Sequence, residues 1–268
     1  MASEQTLIPV IEHGWRRGMA NLLRKENGQW WHTRRWWIQA LVWLLVINGT
    51  LAVGLWIVPI VEPDLKLDVA LAYEFFVQMI AWFPMFAVIV IAQGAIISEK
   101  QSGTAAWVLS APVSRESFIL SKLFANALGF LVTVIALQGT VAYIQLSLYG
   151  GSLLPIRPYL AVLGLFGLYL LFYLALTLML GTFFNARGPV LGVAIGVAIA
   201  SMRGIGGLLS GYAPWLVKIL PEALPALANS IVTGAPLPAD WPVPVVFVAL
   251  YSALFVALAI WRFRREEF

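Results

Sequence analysis

The sequence contains no cysteine and only two histidines. Without cysteine the chain has no disulfide bond, no thiolate nucleophile and no cysteine metal ligand. His13 and His32 lie on the polar N-terminal segment, and two isolated imidazoles do not make a metal site. The sequence also lacks a Walker-type phosphate loop, a His-Glu-x-x-His motif and a Gly-x-Ser-x-Gly motif. We therefore expect no catalysis by this chain alone and no cofactor in it.

Charged residues are also scarce. They make up 11% of the chain, whereas soluble domains contain about 25%. Hydrophobic residues make up 61%, and the mean hydropathy is +0.86. This composition is typical of an integral membrane protein.

Several apolar windows are each long enough for a helix that crosses about 30 Å of hydrocarbon. They are continuously apolar, whereas the strands of a membrane barrel alternate between lipid-facing and lumen-facing residues. We therefore predict an all-α membrane protein with a cytoplasmic N-terminal segment at 1–35 and a six-span domain at 36–268. The predicted spans are 36–60, 71–97, 119–146, 158–182, 189–210 and 243–261.

The connection at 211–242 is rich in proline but stays apolar. Non-helical backbone at membrane depth has to be buried in protein or face water. We predict short helices that lie at the outer interface or dip into it. A lid over the bundle and a substrate gate both fit this pattern.

The distribution of lysine and arginine predicts the orientation. With a cytoplasmic N-terminus the inner segments hold most of these residues, namely Arg16, Arg17, Arg24, Lys25, Arg34, Arg35, Lys100, Arg115, Lys122, Arg187, Arg262, Arg264 and Arg265. The outer segments hold Lys66, Arg157 and Lys218, with Arg203 near the outer end of the fifth span. The positive-inside rule then predicts cytoplasmic termini in the cell (inner) membrane. The net charge of +4 follows from this topology and requires no nucleic-acid partner.

The N-terminal segment from Arg16 to Arg35 has the pattern of an amphipathic helix in the inner interface. Its apolar side carries Met19, Leu22, Leu23 and Trp30, and its charged side carries Arg24, Lys25 and Glu26. The pair Arg34 and Arg35 marks the turn into the first span. A positively charged anchor and a gating or docking element are both consistent with this segment.

The polar loop at 98–118 has the pattern of a short helix held between two spans. Ser102 or Thr104 is placed to cap this helix, and Pro112 ends it. Ser114 is placed to cap the next helix. The short helix would expose Trp107 and Leu109 to a groove on another protein.

Ionisable residues within a span are candidates for function. Glu74 and Arg203 lie near the outer ends of the second and fifth spans, and form a candidate intramembrane charged site. At this depth both side chains can also reach the outer headgroups by snorkelling. An ion-gradient-driven transporter or channel would use this pair.

Gly192 and Gly196 form a small-xxx-small step in the fifth span, which allows two helices to approach closely. The step fits an internal packing seam as well as an interface between two subunits.

Two stretches carry a family resemblance. The first is the loop and the residues after it, with Glu99-x-x-x-Gly103-Thr104, Leu109-x-x-Pro112-x-Ser114-Arg115-x-x-Phe118 and Ser121-Lys122. The second precedes the first span and reads Asn21-Leu22-Leu23-Arg24-Lys25-Glu26. With the six-span layout, this pattern resembles the ABC type-2 transporter permeases, the membrane subunits of ATP-driven exporters. The resemblance covers nearly the whole chain.

The resemblance implies a coupling helix at about Gly103 to Leu109 that seats in a separate ATPase subunit, and an N-terminal elbow helix. Two ATPase subunits, which bind ATP and Mg²⁺, would act with two permease chains, and a homodimer is the predicted pair. The coupling residues that match the family are Glu99, Gly103, Thr104, Pro112 and Arg115. Trp107 is added for its aromatic side chain, where the family has an aliphatic or charged residue.

The resemblance therefore predicts a permease that exports an amphipathic or hydrophobic solute. Two other functions stay open from the residues alone. One is the ion-driven transporter or channel, and the other is a membrane anchor that recruits a cytoplasmic complex without transporting a solute.

Overall fold

The computed structural model describes residues 12–65, 67–202, 208 and 210–267. The described residues form helices and turns, with no strand among them, so the all-α prediction is confirmed. We number the helices α1 (Met19–Trp31), α2 (Arg35–Val61), α3 (Val69–Gln101), α4 (Thr104–Ser110), α5 (Arg115–Gly150), α6 (Ile156–Phe183), α7 (Arg187–Met202), α8 (Pro214–Val217), α9 (Ala223–Thr233) and α10 (Pro242–Arg264).

Five of these helices, α2, α3, α5, α6 and α10, are long and apolar enough to cross a membrane. Their bounds lie within a few residues of the predicted spans. The predicted fifth span at 189–210 corresponds to α7, which has 16 residues; residues 203–207 and 209 lie outside the described part of the chain. The structure thus supports five spans, and the sixth remains a prediction.

Helix α6 is the centre of the bundle, because it packs against α3, α5, α7, α9 and α10. Its buried face includes Tyr159, Phe166 and Tyr173, which are at most 2% exposed. By contrast, α2 and α10 leave most of their apolar side chains uncovered. Uncovered apolar faces on long helices are what contact with lipid requires.

Wide helical turns at Leu44–Gly49 in α2 and Leu131–Ala136 in α5 lie beside a polar contact between these two helices. The Asn48 side-chain amide donates to Gln138 Oε1 over 2.8 Å. Gln138 Nε2 in turn donates to the Ala40 carbonyl over 3.2 Å. These buried hydrogen bonds join α2 to α5 within the apolar interior.

We call the end where α2, α5 and α7 begin, and where α3, α6 and α10 end, the basic end. Side-chain contacts join α1, α3, α5, α10 and the residues after α10 at this end. The residues in these contacts include Lys25, Lys100, Arg115, Lys122, Glu266 and Arg264.

Candidate functional site at the basic end

Helix α1 packs along the first turns of α5. Leu22, Glu26 and Trp30, spaced by four residues, form its buried face. Lys122 Nζ donates to Glu26 Oε1 over 2.9 Å, and Trp30 Nε1 donates to Asn126 Oδ1 over 3.1 Å. Both pairs are separated by 96 residues, so the two helices run side by side in the same direction.

This arrangement corrects one expectation about the N-terminal segment, whereas its place at the inner interface stays a prediction. Glu26 was assigned to the charged outer side, but it is 5% exposed because Lys122 meets it inside the protein. Arg24 and Arg34 do lie on the exposed surface.

Four charged side chains, Lys25, Glu26, Glu99 and Lys122, form what we call the Glu99 cluster. Glu99 Oε1 accepts from Lys25 Nζ over 2.8 Å and from Lys122 Nζ over 2.9 Å. The Lys122 side chain is 2% exposed, and those of Glu26 and Glu99 are 6% and 12% exposed. Two cations and two anions balance each other, which makes their burial tolerable. The cluster joins α1, α3 and α5.

Trp30 fills the contact between α1 and α5 above this cluster. A β-carbon on Gly129 would lie 2.4 Å from the Trp30 ring, so the ring occupies the space that a side chain would need. The ring also meets Phe130 edge to face, with 5.1 Å between ring centroids. The Arg35 guanidinium lies over the Trp30 ring, 5.3 Å from the ring centroid.

Helix α4 begins after Gly103, which has φ +72° and favours glycine for that reason. The prediction that Ser102 or Thr104 caps α4 is therefore corrected. Gly103 holds the capping position, and no side chain caps the helix there. Ser102 and Thr104 instead bond to each other through their hydroxyls at 2.8 Å. Ala105 is fully buried, whereas the Trp107 side chain is 78% exposed, as predicted.

The end of α4 and the start of α5 are fixed by local contacts. Leu109 is only partly exposed and packs against the core, which corrects its expected exposure. Pro112 lies two residues after Ser110, the last residue of α4, and is on the surface. The Ser114 hydroxyl accepts from the Ser117 amide over 3.0 Å, as predicted for a cap, and donates to the Trp15 carbonyl over 2.6 Å.

The end of α10 and the residues after it contact the two helices that flank α4. Arg115 donates to the carbonyl of Phe263 over 3.0 Å, near the end of α10. Lys100 forms an ion pair with Glu266 at 2.5 Å and approaches the Phe184 carbonyl at 3.5 Å. Cations at helix C-termini satisfy carbonyls that have no partner within the helix. These contacts fix the end of α3 and the start of α5, the two helices that flank α4, while α4 itself packs against the end of α3.

The structure places the glycine step of α7 on the uncovered face of the helix. Val190, Ala194 and Ala198 form the buried face, toward α3 and α6. Gly192 and Gly196 are exposed, and a β-carbon on either would meet nothing within 4 Å. Within the described part of the chain these glycines are therefore not an internal seam.

At the opposite end of the bundle Glu74 is half-buried in the first turns of α3. Arg203 lies outside the described residues, so the structure does not test their pairing. A third ionisable residue, Glu222, was missed in the sequence. Glu222 lines a cavity together with Ser201, whose hydroxyl accepts a hydrogen bond from the Tyr173 hydroxyl of α6 over 3.3 Å. The segment before α9 therefore lies close to α6.

Helix α9 follows Glu222 and packs between α3 and α6 through Leu224, Leu227 and Ala228. The loop after α9 is fixed by an ion pair of Lys218 with Asp240. Hydrogen bonding by Lys218 lowers the pKa of the Asp240 carboxyl. The region 211–242 is thus folded onto the bundle.

Long apolar helices around a central helix, with charged side chains collected at one end, define an all-α multi-pass membrane protein. The chain belongs to a family described as protein of unknown function DUF2705, whose pattern matches residues 49–268. It is similar to the uncharacterized transmembrane protein YxlG of Bacillus subtilis, with 25% identity over 183 residues, or 68% of each chain. The family match includes Glu99 and Lys122 but begins after Lys25 and Glu26.

Proposed function

We propose that the chain is the permease subunit of an ATP-driven ABC exporter, with its basic end in the cytoplasm. Two separate ATPase subunits would bind ATP and Mg²⁺ and would seat α4 in their clefts. A second copy of this chain would complete the transport unit, which would move an amphipathic or hydrophobic solute out through the cell membrane.

The observation that carries the proposal is the exposure of Trp107 on a braced helix. A large aromatic side chain in water contributes nothing to the folding of this chain, but it suits a pocket on a partner. Helix α4 packs against the end of α3 and is followed by a turn that ends at the Ser114 cap of α5, so a displacement of α4 would be transmitted to α3 and α5. A partner that changes shape on binding ATP would supply that displacement.

An apolar groove supports the proposed class of solute. It has a volume of about 690 Å³, lies between α5 and α6, and is lined by leucine, phenylalanine, isoleucine, alanine and glycine side chains, including Leu123 and Phe130. Pockets of about 300–1,000 Å³ are typical of small-molecule sites. An alkyl or aromatic moiety would fit this groove.

Trp107→Ala tests the contact with the ATPase. The proposal expects an ATPase without membrane spans to be encoded beside this chain. The chain is co-purified with that ATPase, and binding is titrated in detergent. We expect the variant to weaken binding at least tenfold, since loss of an interface tryptophan costs about 2 kcal/mol or more. Trp215→Ala is the matched control, because Trp215 is 62% exposed but belongs to α8 at the other end.

Equal retention of the ATPase by wild type and Trp107→Ala would contradict the proposed contact. Glu99→Ala is a poor test, because it would leave Lys25 and Lys122 with one carboxylate and would disturb the fold as well as the coupling. A membrane anchor would retain a partner through α4 but show no ATP-dependent solute flux. An ion-driven transporter would lose flux in a Glu74→Gln variant and need no ATPase.

A further inference from the structure

A polar cavity of about 630 Å³ lies at the basic end, between α1, α3 and the first residues of α2 and α7. Six charged side chains line it, namely Lys25, Glu26, Arg35, Glu99, Lys122 and Arg187. The side chains of Gln93, Ser98 and Asn126 add hydrogen-bonding groups. This cavity is large enough for a small polar ligand.

The cavity is lined by four basic side chains and by two carboxylates, Glu26 and Glu99. Its cations therefore exceed its anions by two. Lys25 and Lys122 are neutralised within the Glu99 cluster. Arg35 and Arg187 form no ion pair with a carboxylate among the described residues. Glu26 attracts Arg35 at longer range. The two arginines thus supply an uncompensated positive charge.

Both surplus arginines line the cavity. Arg187 reaches over α3 at Gly94, where a β-carbon would lie 3.9 Å from the Arg187 Cζ. Arg35 is held over the Trp30 ring. Arg35 and Arg187 are the first residues of α2 and α7. The positive ends of these two helix dipoles therefore lie beside the cavity. Planar guanidinium groups bind phosphate oxygens with two parallel hydrogen bonds.

The surroundings of the cavity indicate a lipid rather than a soluble ligand. Trp36 and Trp37, next to Arg35, are each 41% exposed, and exposed tryptophans at a helix end are typical of the headgroup level. Val90 lines the cavity and is 51% exposed. Phe83, seven residues or about two turns away on the same face of α3, is also exposed. An acyl chain could follow this face into the membrane.

We propose that this cavity binds the headgroup of a phospholipid, with its phosphate between Arg35 and Arg187. The headgroup also needs hydrogen-bond donors. The polar side chains of Gln29 and Ser98 line the cavity and would bond to headgroup hydroxyls. A phosphoglycerol headgroup provides both the negative charge and the hydroxyls. The proposal concerns lipid binding alone and does not depend on an ATPase partner.

The test measures lipid affinity of the purified full chain in a neutral detergent by calorimetric titration. The probes are short-chain phosphatidylglycerol, short-chain phosphatidylcholine and glycerol 1-phosphate. We expect saturable binding of phosphatidylglycerol, and binding at least about tenfold weaker for the other two, because one lacks donors and net charge and the other lacks acyl chains.

Arg187→Gln should weaken phosphatidylglycerol binding about tenfold, which is the loss expected for one charge-assisted hydrogen bond. Arg187 lies on the surface, so the variant should fold, and its thermal unfolding in detergent checks this. Arg35→Gln is a second variant for the same site. Arg34→Gln is the matched control, since Arg34 is an exposed neighbour that does not line the cavity.

Unchanged phosphatidylglycerol affinity in both folded variants would overturn the site. Equal affinity for glycerol 1-phosphate and phosphatidylglycerol would overturn the lipid assignment and give the cavity to a soluble phosphate ester. Equal weakening by Arg34→Gln would show that general surface charge, rather than this cavity, attracts the lipid.

Discussion

Replacing Lys122 by methionine should destabilise the bundle more than loss of any exposed cation. Lys122 Nζ lies 2.9 Å from Glu26 Oε1 and 2.9 Å from Glu99 Oε1, and its side chain is 2% exposed. Methionine is an apolar side chain of similar length, but it removes the charge and the contact of Lys122 Nζ with the Phe118 ring, 4.9 Å from the ring centroid. Two buried carboxylates would then share Lys25 alone. Removing one partner of a buried ion pair costs about 3–5 kcal/mol, and we expect a loss in this range.

The free energy of unfolding is measured by titrating the protein from mild detergent into mixed micelles with a denaturing detergent. Lys218→Met is the matched control, because it breaks an ion pair with Asp240 whose side chains are 55% and 38% exposed; it should change stability little. A Lys122→Met, Glu26→Gln double variant should recover about 1 kcal/mol or more, since the two residues share one interaction. Equal losses in Lys122→Met and Lys218→Met would refute the reasoning.

Two further variants test packing and assembly. Gly129→Ala should destabilise the chain by about 1–3 kcal/mol through overpacking against Trp30, measured in the same micelle titration. Gly164→Ala is the control, because a β-carbon there meets nothing within 4 Å. An equal effect of the two variants would contradict the contact with Trp30. Gly196→Leu should shift the chain from dimer to monomer in light scattering without loss of stability if α7 faces a second copy. Ala194→Leu, at a fully buried position, should instead lower stability, and an unchanged mass for Gly196→Leu would exclude that interface.

Local patterns predicted the features that depend on neighbouring residues. Uncharged windows gave the bounds of the long helices, because length and hydrophobicity are properties of one segment. Ser114 and Pro112 marked the boundaries around α4 and α5, because caps and breaks depend on a few adjacent residues. The same local reasoning found the exposed Trp107.

Features that depend on a second segment were not predicted. In the sequence Glu26 has the pattern of a charged surface residue. In the structure Lys122 Nζ lies 2.9 Å from Glu26 Oε1, inside the protein. One signal was present, since Glu26 shares the i, i+4 spacing of Leu22 and Trp30 on the apolar stripe. Glu222 lies in a proline-rich connection, where no periodic pattern indicates that this residue comes close to α6.

The sequence by itself determined that this is a helical membrane protein with most of its basic residues at one end, because the cost of leaving peptide groups unpaired in lipid dictates helices. Tertiary structure decided which charges are buried together, which face of α7 is covered, and which arginines line the polar cavity. The physical reason is that an ion pair, a packing contact or a cavity joins residues far apart in the chain. Glu26 and Lys122, 96 residues apart, meet only after α1 and α5 have packed.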